Sequence, residues 1–103
     1  MAKLTVVLAA SEPRLADAWR REFRDVADVE IHLGSIFEVE ADALISPANS
    51  FGFMDGGIDA LYSQEFGWDI QLHLRRLILD FHHGELLVGA AEIVATGSEK
   101  HPI

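Results

Sequence analysis

Four segments of the chain carry the hydrophobic pattern of β-strands. Residues 3–10, 41–45 and 86–95 are short apolar runs, which is typical of strands buried on both faces. Val29–Leu33 alternates between apolar and polar side chains, as a strand with one buried face does. We therefore expect four strands, with residues 86–95 forming the last of them.

Two segments between these strands have the period of an amphipathic helix. After Pro13, which suits a first helical turn, apolar side chains recur every three or four positions. The same pattern returns over residues 58–83, where Gly67 can break it and Gly84 is a stop. The element order is then β-α-β-β-α-β. It predicts an α/β fold, a mixed β-sheet flanked by helices, with residues 1–103 as a single domain.

Composition narrows the class of protein. Eight basic against seventeen acidic residues give a net charge of −9, which argues against nucleic acid as a partner, because binding it relies on Lys and Arg. The chain has no cysteine, which excludes disulfides and thiolate chemistry and fits a reducing, cytoplasmic location. Its apolar runs are shorter than a membrane span, so we expect no membrane association.

Five histidines raise the question of a metal site. His82 and His83 are adjacent, so on a helix they point to different faces, which is poor geometry for chelation. His32 and His73 have no carboxylate at ligand spacing. Structural or solvated histidines are therefore the favoured interpretation over a zinc site, and we expect no metal and no cofactor.

The polar segment between the third strand and the second helix carries the candidate chemistry. Residues 46–59 have the sequence S-P-A-N-S-F-G-F-M-D-G-G-I-D. A helix start presents free backbone N–H groups and a positive dipole end, and glycines let backbone approach a phosphate closely. The pattern predicts a site for a phosphate-bearing ligand, with Asn49 and Asp59 supplying side-chain chemistry. The competing interpretation is an ordinary turn, in which Asp59 only stabilises the helix dipole.

Two parts of this segment resemble the macro domain, the ADP-ribose-binding module. Residues 46–50 (S-P-A-N-S) and 56–59 (G-G-I-D) match its most specific motifs. Residues 34–36 (G-S-I) lie where that family has G-D-I, and residues 88–91 (V-G-A-A) look like its turn before a strand. The resemblance covers most of the chain. It implies part of a three-layer α/β/α fold, and we expect the family's C-terminal portion to be absent.

The resemblance also implies roles for individual residues. Asn49 would contact the ribose next to the diphosphate, and Asp59 would lie near the diphosphate and the same ribose. As a catalytic pair they would orient or activate a water that attacks the anomeric carbon, or an ester on that ribose. The other ligand-binding residues that it implies are Ile36 at the adenine edge, Ser50 in the loop, and Gly56, Gly57 and Ile58 through backbone N–H groups on the diphosphate.

The implied function is binding of ADP-ribose or a related nucleotide diphosphate. Hydrolysis of protein ADP-ribose, O-acyl-ADP-ribose or ADP-ribose phosphate, as an ADP-ribosyl hydrolase, is left open. Two motifs depart from the family pattern: Ser35 replaces the aspartate that reads the adenine amino group, and Met54 with Asp55 replaces half of the glycine run. The alternative is a non-catalytic, truncated remnant that serves as an interaction module, a homo-oligomer or partner-completed assembly formed through an exposed sheet edge.

Overall fold

The computed structural model describes residues 3–103 and divides the chain into two compact units, Met1–Glu40 and Ala41–Ile103. The described residues hold a two-stranded parallel sheet, three α-helices and one short 3-10 helix. The predicted α/β class is confirmed at this level. The assignment of residues 1–103 to a single domain stays a prediction.

The first unit is a β-α-β crossover. Strand β1 (Val6–Ala10) leads into helix α1 (Pro13–Phe23), which returns the chain to strand β2 (Val29–Leu33). The strands are parallel, and their register runs from Val6 opposite Val29 to Ala10 opposite Leu33. Strand β1 begins at Val6, where β2 offers its first pairing residue, Val29. The prediction had placed its start at residue 3. The 3-10 helix Ile36–Glu38 follows β2.

The second unit contains two consecutive helices, α2 (Gly57–Phe66) and α3 (Asp69–His82). Together they occupy the long helical pattern predicted over residues 58–83. Gly67 separates them, since its φ of +95° is not helical and favours glycine. Along α3 the side chains of Leu74 and Ile78 are buried. No helix within residues 3–103 has both the length and the apolar character needed to cross a bilayer.

The prediction of a third and a fourth strand was wrong. Residues 41–45 and 86–95 are not strands in the structure, so the described residues do not form the four-stranded mixed sheet. A strand requires a ladder of hydrogen bonds to a neighbour, and these segments lack one. Residues 41–44 make two isolated bonds: the Ala41 N–H donates to the Lys100 carbonyl (3.3 Å), and the Leu44 N–H donates to the Ile103 carbonyl (2.8 Å).

The backbone of Gly52 lies close against helix α3. A Cβ atom on Gly52 would lie 2.8 Å from Cδ1 of the buried Ile78, and its φ is +80°. We expect Gly52→Ala to lower the free energy of unfolding by about 2–4 kcal/mol, which combines left-handed backbone strain with overpacking. Gly97→Ala is the matched control, because Gly97 has nearly the same φ (+82°) and no described atom within 4 Å of its Cβ position.

Urea denaturation of Gly52→Ala and Gly97→Ala separates the free-energy cost of backbone strain from that of overpacking. The backbone strain is common to both variants, so the control isolates it at about 1–2 kcal/mol. The remainder in Gly52→Ala reports how tightly the loop is held against α3. Equal losses in the two variants would contradict this packing.

Candidate functional site

The loop before helix α2 is held together by the side chain of Asn49. Its Oδ1 accepts hydrogen bonds from the N–H groups of Phe51 and Phe53, both at 3.1 Å, and its Nδ2 donates to the Phe53 carbonyl at 2.6 Å. The Gly52 N–H also donates to the Asn49 carbonyl (3.2 Å). The amide therefore shapes the loop, and the rings of Phe51 and Phe53 remain exposed.

Met54 anchors the loop to both helices. Its N–H donates to Oε1 of Gln71 on α3 (2.7 Å), and its carbonyl accepts from the Ser63 hydroxyl on α2 (2.7 Å). Its own side chain is buried. Met54 is thus a fixed, buried residue, because both of its backbone polar groups find side-chain partners.

Asp59 lies in the first turn of α2 with a side chain that is almost fully withdrawn from solvent, at 5% exposure. Its Oδ1 accepts a hydrogen bond from the Ser46 hydroxyl. Ser46 ends the apolar run 41–45, so this bond ties that segment to the start of the helix. The bond fixes the orientation of the carboxylate and leaves its second oxygen, Oδ2, for another partner.

The first turn of α2 is open. Gly56 is the N-cap residue, and no described side chain caps the turn. No described atom lies within 4 Å of the positions that Cβ atoms of Gly56 and Gly57 would take. Uncapped N–H groups at a helix start, next to open space, favour an anion.

The structure places six of the seven predicted site residues on one loop and helix start. They are Asn49, Ser50, Gly56, Gly57, Ile58 and Asp59, all in the second unit. Ile36 lies in the first unit, in the short 3-10 helix, so its predicted contact with the adenine edge stays a prediction.

Ser50 connects the loop to the segment after α3. Its hydroxyl donates to Oε1 of Glu85 (3.2 Å), and its carbonyl accepts from the Leu86 N–H (2.8 Å). Glu85 could not be identified from sequence alone, because it lies 35 positions from Ser50. The hydroxyl is thus engaged by a carboxylate, while its role toward a ligand stays a prediction.

Arg75 is a further residue that sequence reasoning missed. Its neighbour Arg76 is exposed and pairs with Asp80 (3.2 Å). The Arg75 guanidinium instead lies 4.2 Å from the centre of the Phe53 ring, and its buried Nε has no described hydrogen-bond partner. The available clue was spacing, since Arg75 precedes the buried Ile78 by one helical turn. A cation thus packs against the loop.

Tyr62 lies one turn after Asp59 on α2, and its pKa responds to the Asp59 carboxylate. Its hydroxyl donates to the Ile45 carbonyl (3.0 Å). Burial and, to a smaller extent, the Asp59 carboxylate raise the pKa of Tyr62 above its ordinary value of 10.0. The folded state then holds this proton more tightly than the unfolded state does. The associated stability is complete below pH 10 and is lost as the pH rises through the raised pKa.

Titration of tyrosinate absorbance measures the pKa of Tyr62 alone, because the chain has one tyrosine. We expect a midpoint above 10 in the folded protein, and a lower midpoint, still above 10, in Asp59→Asn, since burial is the larger cause. Tyr62→Phe should flatten the loss of stability above pH 10. A midpoint that is the same in the folded and the urea-unfolded chain would contradict the buried position of the hydroxyl.

Two of the five histidines, His82 and His101, make side-chain contacts within the second unit. His82 Nε2 lies 2.7 Å from Oε1 of Glu92, with both side chains about one-fifth exposed. His101 is buried and packs edge-on against Phe66. Sequence reasoning did not anticipate either arrangement. Within residues 3–103 no three His, Cys, Asp or Glu side chains cluster in a way that could hold a metal ion.

Comparison with known proteins gives one partial relative. A protein of Aquifex aeolicus (strain VF5), described as an uncharacterized protein, is 41% identical over 44 residues. The match covers 43% of this chain and 27% of the length of the relative. No family model and no solved structure matches the chain.

Proposed function

We propose that the loop 49–59 and the first turn of α2 bind ADP-ribose or a related nucleotide diphosphate, as part of a macro-domain-like α/β arrangement. One observation carries the proposal: an open helix start lies beside a carboxylate, Asp59, whose orientation Ser46 fixes. The resemblance of residues 46–50 and 56–59 to the macro domain narrows the anion to this class of nucleotide.

The diphosphate would lie on the backbone N–H groups of Gly56, Gly57 and Ile58. Backbone amides and the helix dipole hold phosphate without a net positive protein, so the charge of −9 does not oppose such a site as it opposes nucleic acid. The exposed rings of Phe51 and Phe53 offer apolar surface on the same loop. The Arg75 guanidinium beside Phe53 adds a cation against this loop.

Hydrolysis of ADP-ribosyl derivatives is the chemistry proposed for the site. Asp59 would accept a ribose hydroxyl or the proton of an attacking water through Oδ2, because Ser46 occupies Oδ1. Asn49 is the second member of the proposed pair with Asp59. Its amide is bonded to loop backbone, so its contribution in this geometry is to hold the loop on which the ribose lies.

Calorimetric titration with ADP-ribose, with AMP as the matched ligand, tests the binding step. We expect heat of binding with ADP-ribose and at least about tenfold weaker binding of AMP, which lacks the diphosphate bridge that three amides would contact. Release of free ADP-ribose from an O-acyl ester, followed by chromatography, tests turnover separately. Binding without turnover would leave a binding module and remove the hydrolase, whereas absence of binding would overturn the proposal.

A further inference from the structure

Residues 91–95 form a strand-like segment that has no strand beside it. From residue 91 to residue 96, side chains alternate between exposed and half-buried, which is the period of an extended chain. Their backbone makes no backbone–backbone hydrogen bond with any residue in the described range 3–103. Five consecutive residues thus offer unpaired N–H and C=O groups at the surface of the second unit.

The space beside this segment is open and apolar. Residues 90–94 and residues 43–46 line the same cleft, whose volume is about 430 Å³. The polar side chains in its wall already have partners within the unit: the Tyr62 hydroxyl donates to Ile45, and the Thr96 hydroxyl donates to the His101 carbonyl. The polar groups that remain beside the cleft are therefore those of the backbone, and backbone groups are matched by another extended chain.

The segment is also poor in charge. Residues 86–98 contain a single charged side chain, Glu92, and His82 contacts its carboxylate at 2.7 Å. Copies of a chain with net charge −9 repel one another over most of their surface. This stretch is where such copies can approach closely, and its Ile93 side chain is 70% exposed.

We propose that residues 91–95 pair with the same residues of a second copy of this chain, as antiparallel strands with a two-fold axis at Ile93. In this register Ala91 of one copy faces Ala95 of the other, Glu92 faces Val94, and the two Ile93 residues face each other. No like charges lie directly opposite, and the exposed face presents a large side chain between two small ones. The contact is isologous, so it closes at two copies.

The pairing residues 91–95 are separate from the nucleotide site proposed at residues 49–59. The pairing gives the predicted homo-oligomer a defined segment and register. It also accounts for the missing fourth strand: a segment with strand character in its sequence lacks a ladder in a single copy of the chain, because its partner lies in the second copy.

Single-cysteine variants test the register directly, since the chain has no cysteine of its own. Under mild oxidation we expect Ile93→Cys to form a covalent dimer, because opposed Cβ atoms lie about 4.5–5.5 Å apart across antiparallel strands. Ala91→Cys alone should not cross-link, since the two copies of residue 91 would lie about 13 Å apart. An equimolar mixture of Ala91→Cys and Ala95→Cys should cross-link. Leu72→Cys, an exposed position on α3, is the control.

Light scattering over a concentration series measures the dimer without cysteine chemistry. Ile93→Lys places two lysines opposite each other and should weaken dimerisation at least about tenfold, while Leu72→Lys should leave it unchanged. A monomeric wild-type chain would overturn the proposal. So would a dimer that Ile93→Lys leaves intact, or equal cross-linking of Ile93→Cys, Ala91→Cys and Leu72→Cys.

Discussion

Asp59→Asn is expected to weaken ADP-ribose binding by about tenfold or more, whereas Asp55→Asn binds as the wild-type chain does. A carboxylate that accepts a ribose hydroxyl makes a charge-assisted hydrogen bond, and its loss costs about 1.5–3 kcal/mol. Both substitutions remove one negative charge from the same segment. Asp55 is exposed, while Asp59 is buried at the helix start. The pair therefore separates a specific contact from the general effect of charge.

The direction of the change at Asp59 is decisive. If Asp59 only stabilised the helix dipole, its neutralisation would leave affinity for a diphosphate unchanged or raise it, because a negative charge near the anion would be gone. Calorimetry at one fixed salt concentration measures the affinity of each variant. Thermal unfolding of the same samples verifies that Asp59→Asn is folded, since its bond from Ser46 is altered.

Asn49→Ala is expected to lower the free energy of unfolding by about 2–3 kcal/mol and to release the loop. The substitution removes three hydrogen bonds to the backbone of Phe51 and Phe53, each contributing about 0.5–1.5 kcal/mol. Amide hydrogen exchange at Phe51 and Phe53 should accelerate at least about tenfold, because their N–H groups lose their acceptor. Binding of ADP-ribose should weaken with it, since the loop no longer keeps the conformation on which the ribose lies.

The control for Asn49→Ala is Gln64→Ala, which truncates an exposed amide side chain on α2. Urea denaturation should show a change of less than about 0.5 kcal/mol for this variant. Unchanged exchange at Phe51 and Phe53 in Asn49→Ala would show that the loop holds itself without the amide, and would remove the structural role assigned to it.

The first unit was predictable because its contacts are close in sequence. Strand β1 pairs with β2 across a single intervening helix, so the hydrophobic period of each segment decides its structure almost alone. The Ser35–Glu38 pair was also accessible from sequence as an S-x-x-E capping box, and it closes in the structure around the 3-10 helix. Ser35 thus has a local role as the cap of this short helix.

The second unit was less predictable, because its structure depends on partners that are distant along the chain. Residues 91–95 have the composition of a strand, but strand formation requires a neighbour, and composition does not supply one. The motifs at residues 46–50 and 56–59 located the loop in the sequence. They did not indicate which residues of α3 and of the segment after it contact the loop. Arg75, Gln71 and Glu85 reach the loop only through tertiary packing, which no spacing rule within the loop encodes.

The amide spectrum of ¹⁵N-labelled protein during titration with ADP-ribose identifies the residues that the ligand contacts. We expect the largest shifts at Gly56, Gly57 and Ile58, whose N–H groups begin helix α2, and we expect AMP at the same concentration to shift them much less. Shifts confined to other parts of the chain, or no shift at saturating ADP-ribose, would contradict the proposed site.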